Sequence, residues 1–277
     1  MKFTLGFSPC PNDTFIFDAL VNGDIDTGVF EFDVVMEDVQ TLNNWAKYGK
    51  LDFSKISYGA LPLLSKEYSV LNSGGALGIG VGPLLIGLQP EEIENVSEMT
   101  IAIPGENTTA HMLFSLAFPK AKKKVFKVFN EIEDFVKQGK GLGVIIHEGR
   151  FTYQKKGLVK LMDLGDYWEK TTGAPIPLGG IIGKRSLGAE VLDKIDSLIR
   201  QSVDYSFAHH KDHLTDFVKN NAQEMEESVM YQHINLYVNE YSRALGTKGY
   251  KAVDTMLDVY QKVYPESYIS HEDIFVH

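Results

Sequence analysis

Short apolar runs alternate with loops and amphipathic stretches twice over, first from Phe3 to Lys66 and again from Met99 to Gly149. In the first series Phe3–Phe7 reads as a strand that ends at the loop Ser8-Pro9-Cys10-Pro11-Asn12-Asp13. Asn12 or Asp13 is expected to cap a helix over Thr14–Val21, stopped at Asn22-Gly23. Phe30–Met36 reads as a second strand, Val39–Tyr48 as a helix, Leu51–Ile56 as a third strand, and Leu61–Lys66 as a further helix. In the second series Met99–Ile103 is strand, Thr108 or Thr109 opens a helix through Leu116, and Lys122–Lys127 suits strand and helix equally. Glu131–Gln138 is helical, and Leu142–Ile146 is a compact strand that delivers His147-Glu148-Gly149 at its end. Such alternation predicts an α/β fold with largely parallel sheets.

The last third reads as helices over Ala189–His210, Leu214–Asn221, Glu224–Glu240 and Gly249–Tyr264. Pro175–Gly180 looks like a crossing back toward the first series. Two lobes follow as an expectation: residues 1–95 with 180–277, around a middle lobe of 96–179. A ligand of such a protein belongs between the lobes, where strand ends and helix N-termini converge.

Composition narrows the function classes. The 277 residues carry 27 Lys+Arg against 37 Asp+Glu, a net charge of −10, so partners with a dense negative surface, nucleic acid or an acidic membrane, are not expected. A small anion in a locally positive pocket remains compatible. The uncharged stretch Tyr68–Pro90 is too rich in Gly and Pro for a spanning helix and reads as buried strands and crossings. Met1–Gly6 shows no apolar leader, which predicts a cytoplasmic protein. A single cysteine, Cys10, excludes an internal disulfide and a cysteine-based zinc site. Self-association stays open, because Tyr231, Tyr237 and Tyr241 suit packing within the lobe and against a partner equally.

Several side chains carry candidate chemistry. His147 sits at a strand end and has, in its neutral form, the lone pair of a general base. Its rival is His111, one turn into the helix that begins at Thr108. His209, His210 and His213 with Asp212 match no trusted metal spacing and read as a solvated helix face. Thr108 and Thr109 open a helix, so their hydroxyls and free N–H groups suit a carboxylate as well as a simple cap. Ser57 occupies the matching position after the third strand, and opposed donors from two lobes would clamp an anionic ring system. Lys55 adds charge if it points inward; a strand position faces solvent equally often. Cys10, between two prolines and with no histidine in its loop, reads as part of a rigid cleft wall rather than a nucleophile. The glycines of 74–87 match neither phosphate-loop pattern.

Four segments in order, Ser8-Pro9-Cys10-Pro11-Asn12-Asp13-Thr14, Lys55-Ile56-Ser57-Tyr58-Gly59, Gly105–Ala110 and Gly143–Gly149, resemble the 1,4-dihydroxy-6-naphthoate synthases of the futalosine route to menaquinone. The resemblance covers nearly the whole chain. It implies a two-lobed fold similar to type II periplasmic solute-binding proteins, with a central cleft between the lobes. It further implies a lyase that cleaves cyclic dehypoxanthine futalosine without a cofactor or metal. In that family a strand-end histidine of the second lobe is the base and matches His147, while substrate-binding positions match Lys55, Ile56, Ser57, Thr109 and Ala110. Two other readings share the fold: a binding protein for a small carboxylate, and the related dehydratase acting on chorismate.

Overall fold

The computed structural model describes residues 1–223, 226–267 and 274–276. In chain order β1 (Lys2–Phe7), α1 (Pro11–Asn22), β2 (Glu31–Met36), α2 (Val39–Lys47) and β3 (Phe53–Ser57) come first. A 3-10 turn at Tyr58–Leu63 leads to β4 (Tyr68–Val70) and β5 (Ala76–Gly78). The second series runs β6 (Leu84–Gly87), β7 (Ile101–Ile103), α3 (Thr109–Ala117), β8 (Lys124–Phe126), α4 (Ile132–Lys137) and β9 (Leu142–Ile145). It ends with α5 (Gly149–Thr152), β10 (Val159–Asp163) and α6 (Leu164–Thr172). The long β11 (Ile176–Lys184) returns the chain, and α7 (Ala189–His209), α8 (Asp216–Asn221), α9 (Glu227–Tyr237), α10 (Glu240–Arg243) and α11 (Gly246–Val263) follow. Glu224 and Met225, the start of the helix expected at 224–240, lie outside the described residues.

Two separate sheets carry the two lobes. The first has the order β2-β1-β3-β11-β4, with β5 also on β11, and the second β10-β6-β9-β7-β8. Both are mixed rather than largely parallel. The strands β1, β2 and β3 run parallel, but β11 re-enters antiparallel to β3, β4 and β5. In the second sheet β7 is parallel to β8 and β9, while β6 is antiparallel to β9 and β10. The first sheet draws on residues 2–78 and 176–184, so the outward crossing falls between Gly78 and Leu84 instead of near residue 95.

Helix α1 starts earlier than a cap at Asn12 or Asp13 implies. Cys10 is its N-cap and Pro11 its first helical residue, where the ring's fixed φ suits a helix and the missing N–H costs nothing. This draws Asn12 and Asp13 into the first turn. One apolar cluster joins Phe3, Leu5 and Phe7 to Phe15 and Phe17 of α1 and to Ile195 and Ile199 of α7. A smaller one under the second sheet holds Ile86, Ile132, Val136 and Ile145. The largest cluster contains Ile56 and Tyr58 together with Leu113, Phe114 and Met256, and it bridges the two sheets. Among the described residues no helix is long and apolar enough to cross a membrane.

Candidate active site

The two lobes meet around a cavity of about 100 Å³. All seven residues expected at the site, Lys55, Ile56, Ser57, Thr108, Thr109, Ala110 and His147, line it. They reach it from the end of β3, the start of α3 and the turn after β9.

His147 occupies an unusual backbone position. Its φ of 53° makes it the one non-glycine residue with positive φ among the described residues. Strand β9 has ended two residues before it and α5 begins two residues after, so the left-handed turn forms an elbow between them. Such a conformation is costly for an L-residue with a side chain and tends to concentrate at functional sites. The imidazole is partly buried and lies against Phe129, with ring centroids 5.0 Å apart. Burial lowers its pKa to about 4; Asp13 and Asp38 push it up and Lys55 pushes it down. The ring is therefore neutral at physiological pH, which leaves a nitrogen lone pair available.

The hydroxyls expected to face each other across the cleft are bonded to each other. The Thr109 N–H donates to Ser57 Oγ at 2.7 Å, the two hydroxyl oxygens lie 3.0 Å apart, and Thr109 Oγ1 donates to the Leu178 carbonyl at 3.0 Å. Gly59 N–H donates to Thr109 Oγ1, and Ser57 N–H to Asn43 Oδ1. A Cβ on Gly59 would sit 2.4 Å from the Thr108 carbonyl carbon, so this close approach requires glycine. Thr108 is the N-cap of α3: its Oγ1 accepts from His111 N–H at 3.2 Å and donates to the Gly105 carbonyl at 2.8 Å. The Ser57 and Thr109 hydroxyls therefore already have partners within the protein.

Lys55 points inward. Its side chain is about as buried as that of Asp13, and the two form an ion pair at 3.0 Å. Nζ also donates to the Gly74 carbonyl at 2.8 Å. Asp13 further accepts from Ser8 N–H and Oγ and from Asn12 Nδ2. The lysine charge is thus matched inside the wall, and it does not stand alone as a carboxylate anchor. Ser8, Asn12, Asp13 and Tyr237 also line the cavity. Sequence reasoning expected the Ser8–Asn12 loop in the cleft wall, but it did not place Asp13 or Tyr237 there; Tyr237 comes in from α9, distant in sequence.

His111 lies outside the cavity lining. Its Nδ1 bonds the Glu106 carbonyl, its Nε2 accepts from Lys124 Nζ at 3.1 Å, and its ring packs on Phe126. Burial lowers its pKa. His210 pairs with Asp18, and His209 stacks on Tyr205, away from the cavity. Cys10 is buried and free. Burial, with Glu148 nearby, drives its thiol well above the usual range, so it is a poor nucleophile. Cys10, His147 and Glu148 bring their ligand-type atoms within 4.8 Å of one another.

Comparison with known proteins places this geometry. The chain is 44% identical, over 90% of its own length and 90% of the relative's, to 1,4-dihydroxy-6-naphthoate synthase of Thermus thermophilus. The crystal structure of protein AF1704 from Archaeoglobus fulgidus superposes with a TM-score of 0.88 at 27% identity, covering 94% of this chain and 97% of that one. The periplasmic aliphatic sulphonate binding protein SsuA of Escherichia coli shares the fold, with a TM-score of 0.65 at 9% identity over 100% of this chain and 92% of its own. The fold is thus the two-lobed, periplasmic-binding-protein-like one, with the cleft between its sheets. The family model for menaquinone biosynthesis matches residues 3–262, and the chain belongs to that family.

Proposed function

We propose that the chain is a carbon–carbon lyase that converts cyclic dehypoxanthine futalosine to 1,4-dihydroxy-6-naphthoate, with His147 as the general base. The observation that carries this reading is the elbow after β9, which holds a neutral imidazole at the wall of the inter-lobe cavity on a left-handed backbone. A substrate lying between the lobes would present its carboxylate to the first turn of α3, where Thr108 and Thr109 sit at the positive end of the helix dipole.

In the reaction His147 removes a proton from the bound substrate. The freed electron pair moves through the ring system as the bond to the sugar-derived fragment breaks, and aromatisation of the naphthoate draws the step forward. The proton then leaves the imidazolium for the departing fragment or for solvent, so the step needs no oxidant or reductant. Enclosure by apolar walls such as Leu42, Ile56 and Val81 keeps water from the carbanion-like transition state.

Incubation with cyclic dehypoxanthine futalosine, followed by chromatographic detection of the naphthoate, tests the activity. Product formation by the wild-type chain and its loss in His147→Ala are expected. A chain that binds the compound without turning it over would instead be a carboxylate-binding protein. Turnover of chorismate in its place would identify the dehydratase.

A further inference from the structure

Behind His147 stands a second imidazole. His233 lies on α9, on the same face as Val229, Met230, Ile234 and Tyr237, and is fully buried. Its ring centroid is 6.0 Å from that of His147 and 4.7 Å from that of Tyr237, which lines the cavity. Phe151 closes another side at 6.3 Å. Among the described residues, neither ring nitrogen of His233 has a hydrogen-bond partner.

That arrangement is expensive for packing alone. A buried polar group without a partner bears its full desolvation cost, and an apolar ring at the same helix position would avoid it. Neutral imidazole offers one donor and one acceptor nitrogen, so His233 has both in reserve next to the residue that must become charged. The charged and titratable groups around His147 are few: Asp13 and Lys55, which pair with each other, then Asp38, Cys10 and Glu148. Among the described residues His147 and the Tyr237 ring pack against His233, with Arg150, Glu148, Cys10 and Asp163 near Tyr237, and burial lowers the His233 pKa well below the usual value. His233 therefore stays neutral when His147 takes the proton.

We propose that His233 is a positioning residue for the reaction, accepting a hydrogen bond from the second ring N–H of His147 as the imidazolium forms. The proton taken from the substrate resides on one nitrogen of His147, while the N–H on the other is held by the lone pair of His233. No bond to His233 breaks, and the proton leaves His147 for the departing fragment or for solvent. The rings are not in direct hydrogen-bond contact in this structure, and catalytic hydrogen bonds commonly tighten only with substrate bound. The inference rests on the base reading of His147, and His147→Ala tests that reading separately.

The experiment measures kcat and KM against pH for His233→Phe and His233→Gln, with melting curves for each. His233→Phe keeps a ring and removes both nitrogens. It is expected to leave KM near wild type, to lower kcat about ten- to a hundred-fold, the worth of a charge-assisted hydrogen bond, and to move the acid limb of kcat/KM to lower pH. His233→Gln, which keeps an acceptor, should recover part of kcat and return the limb toward wild type. Unchanged kcat in a folded His233→Phe, or reduced kcat with an unmoved limb, would overturn the proposal. Should both variants fail to fold, nitrogen-15 spectra of histidine-labelled wild-type protein decide: the His233 ring signals must shift as His147 titrates. Signals that ignore that titration also refute it.

Discussion

The Thr109 backbone N–H and the Ser57 hydroxyl meet at 2.7 Å, joining the first turn of α3 in one lobe to the end of β3 in the other. The contact is a latch between the lobes as well as a part of the cavity wall. Ser57→Ala leaves the Thr109 N–H without its acceptor, and Thr109→Val strips the Gly59 N–H of its own. Each change is expected to cost about 1–3 kcal/mol of stability, the penalty for an unsatisfied buried group, and to raise KM. Because both remove the same network, the double variant should cost less than the two losses combined. Urea unfolding and steady-state kinetics on the three variants check this, and strictly additive losses would argue against the latch.

His147→Ala should lower kcat about 10²–10⁴-fold while ligand affinity persists, as for loss of a general base. His147→Gly should do the same and also raise stability by about 1 kcal/mol, since glycine adopts the left-handed backbone without strain. Isothermal titration with the naphthoate product and a melting curve separate the two effects. A glycine variant less stable than the alanine variant would show that the elbow is not strained.

The pH dependence of stability has a definite sign. The His147 pKa is lowered from the ordinary 6.5 to about 4, and that of His233 also falls well below it. Between those values the unfolded chain binds protons that the folded chain refuses. Stability is therefore whole above pH 6.5 and falls as the pH drops toward 4, where His147 begins to protonate in the fold as well. The His147 contribution is on the order of 3 kcal/mol. Denaturant unfolding at intervals from pH 7.5 to 4 should show this loss, and His147→Ala should reduce it to the part that His233 contributes.

Lys55 and Asp13 form a buried ion pair at 3.0 Å. Lys55→Met leaves the Asp13 carboxylate uncompensated, and Asp13→Asn does the reverse to the lysine. Each should cost about 3–5 kcal/mol. The double variant should recover part of that loss, which chemical denaturation would register. A Lys55→Met protein as stable as wild type would mean that the carboxylate is matched by its other donors, Ser8 and Asn12.

Local pattern carried much of the fold. Short apolar runs marked β1, β2, β3, β7 and β9, and helix stops such as Asn22-Gly23 closed α1 within a residue or two. The loops that reach the cavity, from Ser8, Ser57, Thr108 and His147, were legible because each falls between a strand and the segment after it. The start of α1 was misplaced because an asparagine and an aspartate resemble caps, while the proline before them had already fixed the first helical turn.

Sequence by itself thus determined which segments become strands and helices and which loops lie between them, since those depend on side chains a few positions apart. Tertiary structure alone decided that Lys55 turns inward to Asp13, that Thr109 bonds Ser57, and that His233 backs His147. These partners lie 42, 52 and 86 positions apart, and no local periodicity reports on such contacts. The first forms as the first lobe folds and the other two when the two lobes meet, because burial removes water as the competing partner and favours matches within the protein.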